Sequence, residues 1–305
     1  MNQLIVFAVG RFLRILGRIA PRRAGRFAFR MFCTPRFRGK VPGVVESVME
    51  AAERLALEVE GQRIQAYHWP HPERGEEAPL VILVHGWESR AARLAVWVEP
   101  LRAAGFRVAA ADAPAHGESE GKITSPRGFA LALMALAEEV GAPAALVAHS
   151  VGGLASFLAV TAGELLGFYN LQPQRMVILA GAESGVDATA YFCRALGLPR
   201  SLHRRMLDAV VEVFGFSMAE FDAHRRAAEV TSPVLWLHDP EDPEVPFEGA
   251  QRVVRKSSRV QLETVPGLGH HRIARDPEII ARGVEFLAPI LSAGEAGPVE
   301  EPAGV

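Results

Sequence analysis

Cysteine is nearly absent from this chain: Cys33 and Cys193 are the only two in 305 residues, far apart and in no metal or redox spacing. That excludes a disulfide framework and leaves two free buried thiols of a reducing compartment as the expectation. Long apolar runs are missing too, and no stretch reaches the ~20 residues that a membrane span needs. Acid is missing from one region only. Residues 1–40 hold ten of the 33 basic residues and no acid, so the remainder carries 23 basic against 35 acidic, a balance of −12. The body of the chain therefore has no general attraction for nucleic acid, and attraction to an anionic partner belongs to the first forty residues. Neither a metal-ligand cluster nor a phosphate-binding glycine loop occurs, so no metal and no cofactor is expected.

What is present is a composition 49% hydrophobic, ample for a sizeable core. Leu4–Val9 is a short apolar run with arginines directly after it and no small-residue cleavage site, unlike a cleaved secretory signal. The spacing predicts a helix to about Ile19, a break at Pro21 and a second helical stretch to Arg30. Arg11, Arg14, Arg18 and Arg22 share one face, with Phe12, Leu13, Leu16 and Ile19 around the other side. Two readings of residues 1–30 stand: peripheral contact with an anionic membrane surface, or a helix laid on the core with a solvated arginine face. A partner-binding face is a third, and the oligomeric state is open.

Residues 1–54 read as this basic segment with a linker, followed by a β-hairpin across Gly61-Gln62. Leu80–Val84 is a strand apolar on both faces, and beyond it strands near 106–111, 144–149, 176–181, 233–238 and 259–265 alternate with helices near 91–104, 126–140, 153–166, 247–256 and 276–291. That pattern predicts an α/β fold with about eight strands, the later ones parallel, and helices on both faces. The core is expected over 55–183 and 231–292, interrupted by a small helical cap at 184–230. Phe192, Leu196, Met206 and Phe214 of that cap are candidates for lining an apolar pocket. Residues 293–305 are expected to be a disordered tail.

The chemistry concentrates at Ala148-His149-Ser150-Val151-Gly152-Gly153, between an apolar strand and an apolar helix. A serine at such a corner stands beside backbone N–H groups and the positive end of a helix dipole, and Gly152 lets strand and helix nearly touch. His85-Gly86-Trp87 follows another strand, and the N–H groups of Trp87 and Val151 would form a two-donor oxyanion hole, with His85 and Gly86 supporting the turn. Asp112 and His116 read as residues that hold a tight loop. His238–Pro246 offers four carboxylates, one of which can orient a histidine, and Gly267–Arg272 carries His270 and His271 on a glycine-flanked loop. The other eight histidines read as scattered, mostly surface or supporting positions.

Together these stretches resemble the α/β-hydrolase family from about residue 55 to 291, with Ala148 in place of the first elbow glycine and Asp239 where glycine is usual. The resemblance implies a nucleophile, acid and base at Ser150, Asp242 and His270, in that chain order. It implies a serine hydrolase that cleaves a small-to-medium apolar carboxylic ester through an acyl-enzyme; the free thiols and the basic start separately suggest the cytoplasm, or a place peripheral to the inner face of a membrane. A thioesterase, peptidase or acyltransferase would use the same three residues, and a membrane-tethered lipid-handling protein is the alternative from another class.

Overall fold

The computed structural model describes residues 3–215 and 217–295. Of the expected tail, residues 296–305 lie outside the described residues, and so does the side chain of Phe214. Eight strands form one sheet: β1 (Glu53–Val59), β2 (Gln62–Trp69), β3 (Leu80–Val84), β4 (Arg107–Ala111), β5 (Ala145–His149), β6 (Arg175–Leu179), β7 (Val234–His238) and β8 (Val260–Thr264). Their order is β1-β2-β4-β3-β5-β6-β7-β8, with β1–β2 and β2–β4 antiparallel and all other pairs parallel. The hairpin turns at Glu60-Gly61, both at positive φ, the conformation a tight two-residue hairpin demands.

Helices cover both faces because the central strands are apolar on both. Leu80, Ile82 and Val84 of β3 join a core that contains Phe129, Leu154 and Phe157, while Val81 and Leu83 join a second that contains Trp97, Leu101 and Ile279. The helix expected over 91–104 begins only at Val98, after two short 3₁₀ turns. Pro100 donates no N–H and fits only within a first helical turn. The segment 276–291 is divided for the same reason, at Pro289.

The N-terminal segment forms α1 (Gln3–Ile19) and α2 (Pro21–Phe32). Residues 184–230 contain α3 (Gly185–Ala195), α4 (Arg200–Phe214) and several single turns. These two groups pack on each other. A Cβ at Gly10 would collide with the Leu196 carbonyl, and one at Gly25 would lie 2.6 Å from the Arg205 carbonyl carbon. Leu13, Ala24 and Ala28 are buried between them, Arg14 donates to the Gly197 carbonyl at 2.9 Å, and Arg26 pairs with Glu212 at 2.7 Å. The expected grouping of Phe12, Leu13, Leu16 and Ile19 on one side is therefore corrected. The glycines turn the Leu13 and Leu16 face inward, while Phe12 and Ile19 are exposed. Leu196 and Met206 are buried in the same contact, with Met206 Sδ 3.8 Å from Cys193 Sγ. Substituting Gly25 by leucine should separate α2 from α4 at a cost of roughly 1–3 kcal/mol. Limited proteolysis should then cut near residues 30–40 much faster than in the wild type, and an unchanged digestion pattern would contradict this packing.

Candidate active site

Strand β5 runs into helix α5 (Val151–Thr161) through Ser150, whose backbone sits at φ +56°, ψ −124°. Such a conformation is costly for a residue with a Cβ and persists only where the surroundings fix it. They do so here by close packing. A Cβ at Gly152 would lie 2.6 Å from the His85 carbonyl oxygen, and one at Gly153 would lie 2.9 Å from Ile178. Ala148, fully buried, is small enough for the remaining position of the corner.

Ser150 Oγ lies 3.0 Å from His270 Nε2, and His270 Nδ1 lies 2.8 Å from Asp242 Oδ2. The carboxylate can only accept, so Nδ1 carries the proton and Nε2 is left to accept from the serine hydroxyl. Asp242 Oδ1 accepts from the N–H groups of Glu244 and Val245 at 2.8 and 2.9 Å. Burial pushes this carboxyl upward, but the hydrogen bonds from His270, Val245 and Glu244 outweigh it and hold Asp242 below the ordinary aspartate value. Asp239 faces a different duty, accepting from the N–H groups of Glu241 at 2.9 Å and Gly269 at 2.5 Å. His271 is exposed and pairs with Glu244 at 2.7 Å.

Gly86 is in contact with the nucleophile: a Cβ there would lie 3.1 Å from Ser150 Cβ and 2.9 Å from His149 Nδ1. Among the described residues, neither the Trp87 N–H nor the Val151 N–H donates a hydrogen bond. His85 donates from Nδ1 to the Gly86 carbonyl at 2.7 Å and accepts the Ala113 N–H at Nε2 at 3.0 Å. Asp112 accepts the Ala91 and Glu118 N–H groups at 2.8 and 2.9 Å. The loop after Trp87 is held by His116, whose Nε2 accepts the Glu88 N–H at 3.0 Å while Nδ1 donates to the Pro114 carbonyl.

Two features of the site go beyond the turn and loop support expected of His85 and His116. Four histidines that seemed scattered or merely supporting, His85, His116, His149 and His238, are buried around the site. His149 Nε2 donates to the His270 carbonyl at 2.8 Å, and His238 Nε2 donates to the Val245 carbonyl at 3.0 Å. Their signal was position, since three of the four sit at or directly after the carboxyl end of a strand. The second feature is a strap over residues 32–40. Phe32 lies with its ring nearly parallel to Trp87, centroids 6.3 Å apart, and meets Phe192 edge-on at 5.6 Å. Arg36 grips Glu88, a residue at φ +52°, through Nε at 2.7 Å and Nη2 at 3.0 Å, with a further 2.9 Å bond from its backbone N–H. Arg38 donates to the carbonyls of Ser119 and Gly121. Nothing local in the sequence joins Arg36 to Glu88.

Ser150 itself is only 8% exposed. Among the described residues no group of side chains could hold a metal ion.

Solved structures share this architecture. The chain is similar to a monoacylglycerol lipase of Paleococcus ferrophilus at 27% identity, with 74% of this chain and 99% of that one covered and a TM-score of 0.55. The Pyrococcus furiosus esterase Pf2001 matches at 16% identity over 85% of this chain and 96% of its own, with a TM-score of 0.59. Est1E of Butyrivibrio proteoclasticus matches at 17% identity over 79% and 99%, with a TM-score of 0.57. The latter two likenesses are of fold. The model of the alpha/beta hydrolase family matches residues 81–282, a span that contains Ser150, Asp242 and His270, and the chain belongs to that family.

Proposed function

We propose that the protein is a serine hydrolase that cleaves a carboxylic ester of a small-to-medium apolar acyl group. The observation that carries this reading is the continuous hydrogen-bonded line from Ser150 Oγ through the His270 ring to Asp242. His270 Nε2 takes the hydroxyl proton as Ser150 attacks the acyl carbonyl, and Asp242 stabilises the resulting imidazolium. The tetrahedral oxyanion rests on the N–H groups of Trp87 and Val151, which have no other acceptor among the described residues. His270 then gives its proton to the leaving alkoxide, and a water deprotonated by the same imidazole releases the acid. A cytoplasmic setting and a peripheral membrane contact through residues 1–30 belong to the same reading. No described helix is long and apolar enough to cross a membrane.

Intact mass after treatment with a fluorophosphonate tests the core of it. A single adduct is expected on the wild type and none on Ser150→Ala. A folded wild type that takes up no label would sink the proposal.

A further inference from the structure

Helix α1 is apolar on two opposite faces, and only one of them is used by the fold. The inward face, centred on Leu13 with Val9, Gly10 and Leu16, packs against the 184–230 insertion. The outward face carries Phe7, Phe12, Ile15 and Ile19, which are 62%, 51%, 49% and 79% exposed. Phe12 meets Phe27 of α2 edge-on at 5.8 Å, and Phe27 is exposed as well, so the patch continues across both helices. One buried face suffices to hold a surface helix, and a second apolar patch of this breadth left in water is a mark of docking.

The charges around the patch select the occupant. Arg11, Arg18, Arg22, Arg23 and Arg30 are exposed and form no ion pair among the described residues. Arg14 and Arg26 are committed to holding the helices on the insertion. With no acid in residues 1–40, a second copy docking on this face would set arginines against arginines. Isoleucine and phenylalanine between the arginines call for a partner with an apolar interior under an anionic surface. We propose that the outward face of α1 and α2 is a docking face for an anionic lipid bilayer, with the helix axes lying in the interfacial plane. The rest of the chain, at −12, is repelled by the same surface, which fixes the orientation of the molecule. This inference rests on the peripheral-contact reading above and is independent of the ester chemistry.

Co-sedimentation of the full chain with phosphatidylcholine vesicles, and with vesicles that also contain phosphatidylglycerol, tests it. The wild type should bind the mixed vesicles, weaken with added salt, and bind the zwitterionic ones poorly. The triple variant Phe12→Ser, Ile15→Ser, Ile19→Ser and the triple variant Arg11→Gln, Arg18→Gln, Arg22→Gln should each lose about tenfold or more in partition. Thermal midpoint and fluorophosphonate labelling should stay as in the wild type, because none of the six side chains touches the site. If the wild type binds and both variants bind equally well, this face is the wrong one although peripheral contact stands. If the wild type binds neither vesicle, the peripheral-contact reading falls with it. A wild-type dimer that the serine variant dissociates would overturn the proposal in favour of a second copy.

Discussion

Asp242→Asn lowers kcat/KM for an acyl ester by on the order of 10⁴-fold with the fold intact. The reason is the direction in which the new amide must point. Asp242 Oδ1 receives two backbone N–H groups, from Glu244 and Val245, and only a carbonyl oxygen can stay there. The amide NH₂ is then turned toward His270 Nδ1 and donates to it. That places the imidazole proton on Nε2, where it faces Ser150 Oγ and cannot accept the serine proton. His270→Ala removes the base altogether and should cost roughly 10⁴- to 10⁶-fold, nearly all of it in kcat. Asp239→Asn provides the contrast, because Asp239 accepts only backbone N–H groups. Its effect should stay within about a hundredfold, the scale of a misplaced supporting group. Steady-state kinetics on the three variants decide the matter: a nearly active Asp242→Asn beside a dead Asp239→Asn would reassign the acid.

Stability should fall steeply as pH is lowered from 6.5 toward 4. Burial, helped by the Arg90 charge, pushes His85 down to about 4, although its bond to the Gly86 carbonyl works the other way. Burial and the neighbouring His85 push His116 down to about 3. Burial and the neighbouring His270 push His149 down to about 3. Each group is neutral in the folded chain and takes up a proton in the unfolded one below its ordinary value of 6.5. The unfolded state therefore binds more protons throughout that window, and stability rises with pH. A full proton of difference is worth about 1.4 kcal/mol per pH unit, so these three groups together contribute at most about 4 kcal/mol per unit. Asp112 and Asp222, held above the ordinary aspartate value by burial, oppose this with the reverse sign and reduce the net slope. The urea midpoint measured at pH 7.5 and pH 5 reads the effect, with a clearly lower midpoint expected at pH 5. Equal midpoints would mean that these rings take up protons in the folded state.

The parts of this molecule that could be read from the sequence are those in which function sits next to itself along the chain. The corner at Ser150 declares itself because small residues, an apolar strand and an apolar helix are contiguous there. The strands β3 to β7 are legible for the same reason, being apolar on both faces, whereas β8 is apolar on one face only, through Val260 and Leu262. The limits of the helix near 91–104 were misjudged because periodicity ignored what Pro100 permits. What stayed hidden depends on contacts between distant positions. The grip of Arg36 on Glu88 spans 52 residues, and the bond from His149 to His270 spans 121. The two-faced character of α1 was hidden as well, since a helical wheel cannot say which apolar side meets the protein. Gly10, Gly17 and Gly25 were the available clue, because small residues mark the side where another backbone comes close.

The strap bears on what is inherited together when such a protein diversifies. A chain reduced to the segment that the family model matches would keep the serine, the aspartate, the histidine and most of the sheet. It would lose Phe32, Arg36 and Arg38, and with them their contacts to Trp87, Glu88 and the Ser119 carbonyl. The matched segment thus carries the three reacting side chains but not every contact that holds the loop beside them. Replacing residues 1–40 by an unrelated leader removes Leu13, Ala24, Ala28 and Phe29 from the core as well, so lower stability and slower labelling are expected together.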